Sequence, residues 1–231
     1  MTNDQQARAR AIYQRISAAG RGWPPTTVSH YQGQPFKALI AGMLSAQTRE
    51  EQTLAAAERL FALADTPAAM LELSDEQIIE AVRPVSYYQT KARYVRAICE
   101  RLLAVDGGEV PPTLDALTQY AGVGWKVAVL TLEIGFDIHD NITVDVHVNR
   151  ISKRLGLVDP AIRQPPRIND ALKEVLPRDL WPHWNGLMVQ FGRAVCLPTY
   201  PRCATCPVAD LCPRVGVVQT GPGRFKSTEW D

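Results

Sequence analysis

The stretch 120–150 constrains this chain more than any other. Tyr-Ala-Gly-Val-Gly-Trp-Lys-Val-Ala at 120–128 is followed, after an apolar helix, by Ile-Thr-Val-Asp-Val-His-Val-Asn-Arg at 142–150. Gly122 and Gly124, one residue apart with Val123 between them, let the backbone turn sharply and approach another molecule with no Cβ in the way. The turn opens onto a helix predicted over 125–135, where Val127, Ala128, Val129, Leu130, Leu132 and Ile134 are apolar nearly all round, the pattern of a helix buried in a core. Outward-facing N–H groups at such a helix start attract an anion, and a DNA phosphate fits that description.

Lys126 is the first residue beside that turn able to do chemistry. A lysine in the first turn of a buried helix either snorkels to the surface and holds a phosphate or sits in a cleft. There the helix end and desolvation both disfavour its charge. Lowering its pKa from about 10.4 to about 8 takes roughly 3 kcal/mol, and the helix end supplies only about 0.3 to 1 kcal/mol, so burial must do most of it. Asp145 lies between Val144 and Val146, just ahead of a helical pattern over 146–155, where a carboxylate is a good N-cap.

Cys196, Cys203, Cys206 and Cys212 form a second signal, with the spacing C-x6-C-x2-C-x5-C and four of the chain's five cysteines in one short stretch. In an intracellular chain that concentration argues for a metal site over disulfides, and four thiolates accept either a tetrahedral zinc or an iron–sulfur cluster.

The Gly-x-Gly-x-Lys turn, the Val-Asp-x-His segment and the cysteine spacing together resemble the helix-hairpin-helix DNA glycosylases, and most closely endonuclease III. The resemblance covers 1–213. It implies an all-α chain of two helical domains: a six-helix barrel over 28–138 that holds the hairpin, and a cluster domain built discontinuously from 1–27 plus 139–213, with 214–231 as a tail. It further implies a 4Fe–4S cluster on Cys196, Cys203, Cys206 and Cys212, with Lys126 and Asp145 as catalytic residues on opposite walls of a lesion groove. The implied activity is removal of oxidised pyrimidines by base flipping, followed by β-elimination at the abasic site through a lysine Schiff base. The partner is damaged double-stranded DNA and the chain a monomer. Alternatives are a mismatch or adenine glycosylase of the same fold, an enzyme that is mainly an abasic-site lyase, and a non-catalytic iron–sulfur DNA-binding protein.

The same resemblance assigns DNA contacts residue by residue. In Leu-Ser-Ala-Gln at 44–47, Gln47 matches the glutamine that enters the gap left by a flipped nucleotide. Tyr87 stands where the family usually has a wedging leucine, after Ser86 in place of glycine, and a tyrosine there can stack for roughly 1 to 3 kcal/mol per base. Gly122, Val123 and Gly124 meet the phosphate backbone, and Arg202 is the only charge in the loop between Cys196 and Cys203, which implies weak phosphate anchoring by that loop. Trp125 and Val127 depart from the family's usual arginine and threonine. Lysine at 126 is what separates double-function from single-function members.

Composition sets the outer limits. With 231 residues the chain can bury a sizeable core, and a formal net charge of +1 excludes binding DNA by bulk charge, so any basic footprint is local. No apolar run approaches a membrane span and Met-Thr-Asn-Asp-Gln-Gln lacks a signal-peptide pattern. The expectation is a cytoplasmic protein, nucleoid-associated if bacterial, with no membrane partner.

Apolar spacing also predicts helices over 1–20, from Pro35 to about 45, over 51–63, 75–82, 90–105, 113–119 and 168–176, and one opened by Pro182. Ser74 with Gln77 reads as a capping box, Pro160, Pro165 and Pro166 as a linker, Cys99 as a core residue, and Lys91, Arg93, Arg96 and Arg101 as a solvated face.

Overall fold

Helix follows helix in the computed structural model, which describes residues 3–221; the last residues of the expected 214–231 tail lie outside that range. In chain order the α-helices are α1 (Asn3–Ala19), α2 (Pro35–Leu44), α3 (Glu50–Leu63), α4 (Pro67–Glu72), α5 (Asp75–Val82), α6 (Tyr88–Val105), α7 (Leu114–Leu117), α8 (Trp125–Phe136), α9 (Val146–Arg154), α10 (Pro165–Val175) and α11 (Trp181–Ala194). No strand occurs among the described residues, so the all-α expectation holds.

The chain divides into two compact units, one of Thr26–His139 and one of Met1–Pro25 with Asp140–Asp231. In the first, α2 to α8 enclose a core that includes Leu39, Ile40, Met43, Leu60, Ile98 and Cys99, all at most 1% exposed. Fully burying an aliphatic side chain of this size is worth about 1.5–3 kcal/mol, so this core is what holds the unit together.

Within it α2 and α8 run antiparallel at close quarters. A Cβ on Gly135 would stand 2.7 Å from the Pro35 backbone, while a Cβ on Gly42 would meet Val127 at 3.4 Å. Near the other end of the pair, Lys126 of α8 reaches Ser45, the residue that caps the C-terminus of α2. The polar Ser45-Ala46-Gln47-Thr48 segment is therefore delivered to the start of α8 by the packing of two apolar helices.

In the second unit α9 and α1 pack on α11, and α1 also meets α10. The Arg8 guanidinium donates to the carbonyls of Leu155 (2.5 Å) and Leu211 (2.7 Å), joining α1 to the end of α9 and to the cysteine-bearing segment. Trp184 and Phe191, at 0% and 1% exposure, fill the centre.

Sequence and structure differ in three places. The short helix α4, capped by the Thr66 hydroxyl, lies where no helix was expected. Pro165 and Pro166 are not linker: they start α10, where a missing N–H costs nothing. Lys91 does not belong to a solvated face, being 5% exposed.

Candidate nucleic-acid interface and metal centre

The glycine turn has two glycines with different jobs. Gly122 adopts φ +73°, and a Cβ there would stand 2.4 Å from the Tyr94 ring, so both conformation and packing require glycine. Gly124 has an ordinary extended conformation (φ −88°, ψ −179°), caps α8 without a side chain, and faces open space within 4 Å. Nothing inside the protein needs a glycine at 124, and both glycines are exposed while Val123 is buried beneath them. Tyr120 anchors the approach to the turn. Its hydroxyl donates to Asp106, burial and that carboxylate hold its pKa above the usual range, and the Arg101 guanidinium lies 5.3 Å from the ring centroid.

This separation of roles gives a paired expectation. Gly122→Ala should cost at least about 2 kcal/mol from left-handed strain and the Tyr94 clash, a fall in Tm of roughly 4–8 °C. Gly124→Ala should cost no more than about 1 kcal/mol yet weaken duplex binding. Thermal melts and a duplex titration of both variants check it.

Lys126 lies in the first turn of α8, half-buried, and its Nζ donates to Ser45 Oγ at 3.1 Å. Ser45 Oγ in turn donates to the Gly42 carbonyl at 2.7 Å, so the hydroxyl that receives the lysine is itself fixed. Two residues beyond Ser45, Gln47 is exposed with φ +53°, and Tyr87 is 68% exposed with φ +57°. Both candidate contacts thus project from backbone in the left-handed region. The loops that carry them touch: the Ser86 N–H donates to Thr48 Oγ1 at 3.1 Å.

Lys91 sits beneath this junction, and sequence reasoning missed it. Its Nζ donates to the Leu44 carbonyl (2.7 Å), the Ala46 carbonyl (2.7 Å) and Thr48 Oγ1 (2.8 Å). Burial pushes its pKa down to about 8, while three acceptors oppose loss of the third N–H. The available signal was only a lysine next to Ala92 on the apolar side of α6.

Asp145 belongs to the second unit, where it is half-buried and caps α9, its Oδ1 accepting from the Val148 N–H at 2.8 Å. The cap expected from the sequence is present. Beside it Val146 is 72% exposed, an unusual position for a β-branched apolar residue.

Cys196, Cys203, Cys206 and Cys212, each half-buried and free of disulfides, line one open pocket with Leu155, Phe191 and Val208. Burial pushes the Cys206 thiol up to about 11 and raises Cys212 as well. Among the described residues no three His, Cys, Asp or Glu side chains converge closely enough to hold a single metal ion. Arg154 frames the pocket by donating to Cys196 Sγ (3.4 Å) and to the Leu197 and Pro198 carbonyls (both 2.6 Å). Arg150 donates to the Cys196 carbonyl at 2.9 Å. Arg202 donates to the Ala194 carbonyl at 3.0 Å and so serves the loop's own shape.

An all-helical chain with a glycine turn feeding a lysine-bearing helix, and a four-cysteine pocket, defines a class of DNA repair proteins. The family model described as HhH-GPD superfamily base excision DNA repair protein matches residues 40–178, and the chain belongs to that family. Within it the similarity runs to endonuclease III. The Thermotoga maritima protein of that name is 38% identical over 184 residues, covering 80% of this chain and 85% of its relative. An endonuclease III-like protein 1 from Gallus gallus is 37% identical over 77% of this chain, which spans 63% of that longer protein. Among solved structures, a non-covalent endonuclease III–DNA complex superposes with a TM-score of 0.80 at 30% identity, over 93% of this chain and 97% of the other. No helix among the described residues is long and apolar enough to cross a membrane.

Proposed function

We propose that this chain is a base-excision DNA glycosylase with abasic-site lyase activity, acting as a monomer on oxidised pyrimidines in damaged duplex DNA. The observation that carries the reading is Lys126, half-buried at the start of α8, beside the glycine turn and within 3.1 Å of Ser45 Oγ. Membership of the base excision repair family supports it.

The chemistry follows from elementary requirements. A base within a duplex is out of reach, so the damaged nucleotide is flipped at a cost of a few kcal/mol, least for pairs already weakened. Gln47 fills the gap and Tyr87 wedges beside it, both on loops braced against DNA by their fixed backbone. Gly122, Val123 and Gly124 present backbone to a phosphate at the uncapped start of α8. As the glycosidic bond breaks, positive charge grows on the sugar, and the Asp145 carboxylate stabilises it. The neutral Lys126 amine attacks C1′ and the base departs with the bonding electrons and takes up a proton; the C1′–O4′ bond then opens, O4′ takes the proton that the lysine nitrogen gives up, and a Schiff base results. Loss of a C2′ proton then expels the 3′ phosphate and breaks the strand.

Cys196, Cys203, Cys206 and Cys212 hold a 4Fe–4S cluster in this reading, which folds the 196–203 segment. Four thiols lining one pocket at the C-x6-C-x2-C-x5-C spacing of the resembling family's cluster loop support a cluster over one zinc ion. Analysis of the purified chain should return iron and acid-labile sulfide in equal amounts. Zinc alone would contradict the assignment.

Specificity is the open choice within the reading, and Tyr87 is the residue that favours a second one, a mismatch or adenine specificity, because it replaces the family's usual leucine. The test is a panel of duplexes carrying thymine glycol, 5-hydroxycytosine, dihydrouracil, mismatches or a bare abasic site, scored for base release and nicking. Release and nicking of the oxidised pyrimidines is expected. Release from mismatches only would move the assignment to the second reading, and nicking confined to the abasic duplex would leave a lyase alone.

A further inference from the structure

The loops carrying Gln47 and Tyr87 meet at Thr48 Oγ1, which accepts from the Ser86 N–H and from Lys91 Nζ, and no catalytic step uses Lys91. We propose that Lys91 is a positioning residue that locks these two loops into one rigid probe, so that sensing of a lesion by either depends on its ammonium group. The inference rests on the functional reading above and concerns how the same site engages DNA.

The geometry is specific. The three acceptors of Lys91 Nζ are the Leu44 carbonyl at the end of α2, the Ala46 carbonyl just before Gln47, and Thr48 Oγ1 just after it. Thr48 Oγ1 also receives the N–H of Ser86, the residue before Tyr87, so one hydroxyl transmits the hold to the second loop. Lys91 is 5% exposed and burial alone depresses its pKa, with no neighbouring charge contributing. A buried cation carries a desolvation cost that a residue serving only as filler would avoid.

What the ammonium holds in place also has a cost of its own. Gln47 and Tyr87 both have positive φ, 53° and 57°, although neither is glycine. Backbone of that kind persists where surrounding bonds over-determine it. Lys91 supplies those bonds on both sides of Gln47 and, through Thr48, at the entrance to Tyr87. Three short bonds consume all three N–H groups of the ammonium, and no apolar residue of similar length reproduces them.

The test uses the full chain and a duplex containing a tetrahydrofuran abasic analogue opposite 2-aminopurine, whose fluorescence rises when it unstacks. Native protein should prefer this duplex to an undamaged one and raise the fluorescence. Lys91→Met should lose that preference by about tenfold, the order of one stacked base contact, and lose the fluorescence rise. Its borohydride trapping on a single-stranded abasic oligomer, which has no stack to probe, should stay within about twofold of native, as expected if only positioning has changed. A merely structural lesion would reduce both signals together, and that outcome would overturn the proposal. Thr48→Val, which removes the shared hydroxyl while keeping a β-branched side chain, decides the matter if Lys91→Met does not fold. It should reduce the preference and the fluorescence rise in the same direction. Native-like preference and fluorescence in a folded variant would refute the role of Lys91 alone. A native chain that neither traps nor prefers the analogue would instead overturn the functional reading and this inference with it.

Discussion

Replacing Lys126 with alanine should abolish covalent trapping on an abasic duplex and reduce strand nicking by roughly 10³-fold or more, as expected when a nucleophile is removed outright. Lys126 is half-buried in the first turn of α8, where its Nζ donates to Ser45 Oγ at 3.1 Å. α8 itself should persist, since alanine is the best helix former and the helix is held by Val127, Ala128, Val129 and Leu130, each at most 6% exposed. Loss of nicking in a chain with native Tm would therefore report chemistry and not folding. Lys126→Arg is a useful companion: it keeps a positive charge for a phosphate but cannot form a Schiff base. If Lys126 merely held phosphate, the arginine variant would retain function; the expected result is that it binds duplex and does not nick.

Asp145→Asn should separate two roles that the wild-type side chain combines. As an N-cap, asparagine is about as good as aspartate, so stability should change by no more than about 0.5 kcal/mol. As an anion facing a developing sugar cation, asparagine is a poor substitute, and base release should fall by about 10²- to 10⁴-fold. Cleavage of a preformed abasic site should be less affected, because the glycosidic bond is already broken. A native rate of base release in Asp145→Asn would reduce Asp145 to the cap that its bond to the Val148 N–H already makes it.

Much of this was legible in the sequence because the determining interactions are local. The Ser74–Gln77 capping box forms with both of its bonds, and Asp145 caps α9, since each depends on residues three apart. Cys99 is fully buried, as its apolar neighbours imply. The glycine turn was equally readable, although only packing against Tyr94 distinguishes the obligatory Gly122 from the unconstrained Gly124.

What escaped is non-local or too short to have a period. The six residues of α4 offer less than two turns of pattern. Pro165 and Pro166 carry the same local signal whether they interrupt a chain or begin a helix. Lys91 shares a helix with Arg93 and Arg96, and nothing in that stretch reveals that its acceptors lie 43 to 47 residues earlier. The bond from Lys126 to Ser45 spans 81 residues and exists only because α2 and α8 pack antiparallel. Turns and caps could be read from local residue identity, whereas the support around Lys126 comes from tertiary packing.

The most direct test of the central claim is the site of covalent attachment. The native chain would be trapped with borohydride on a duplex bearing one abasic site, digested with trypsin, and the modified peptide sequenced by mass spectrometry. Trypsin cannot cut after an alkylated lysine, so the account predicts an adduct on Lys126 within an uncut peptide that runs through Val127. An adduct on a different lysine, or none from folded protein with its iron in place, would contradict it.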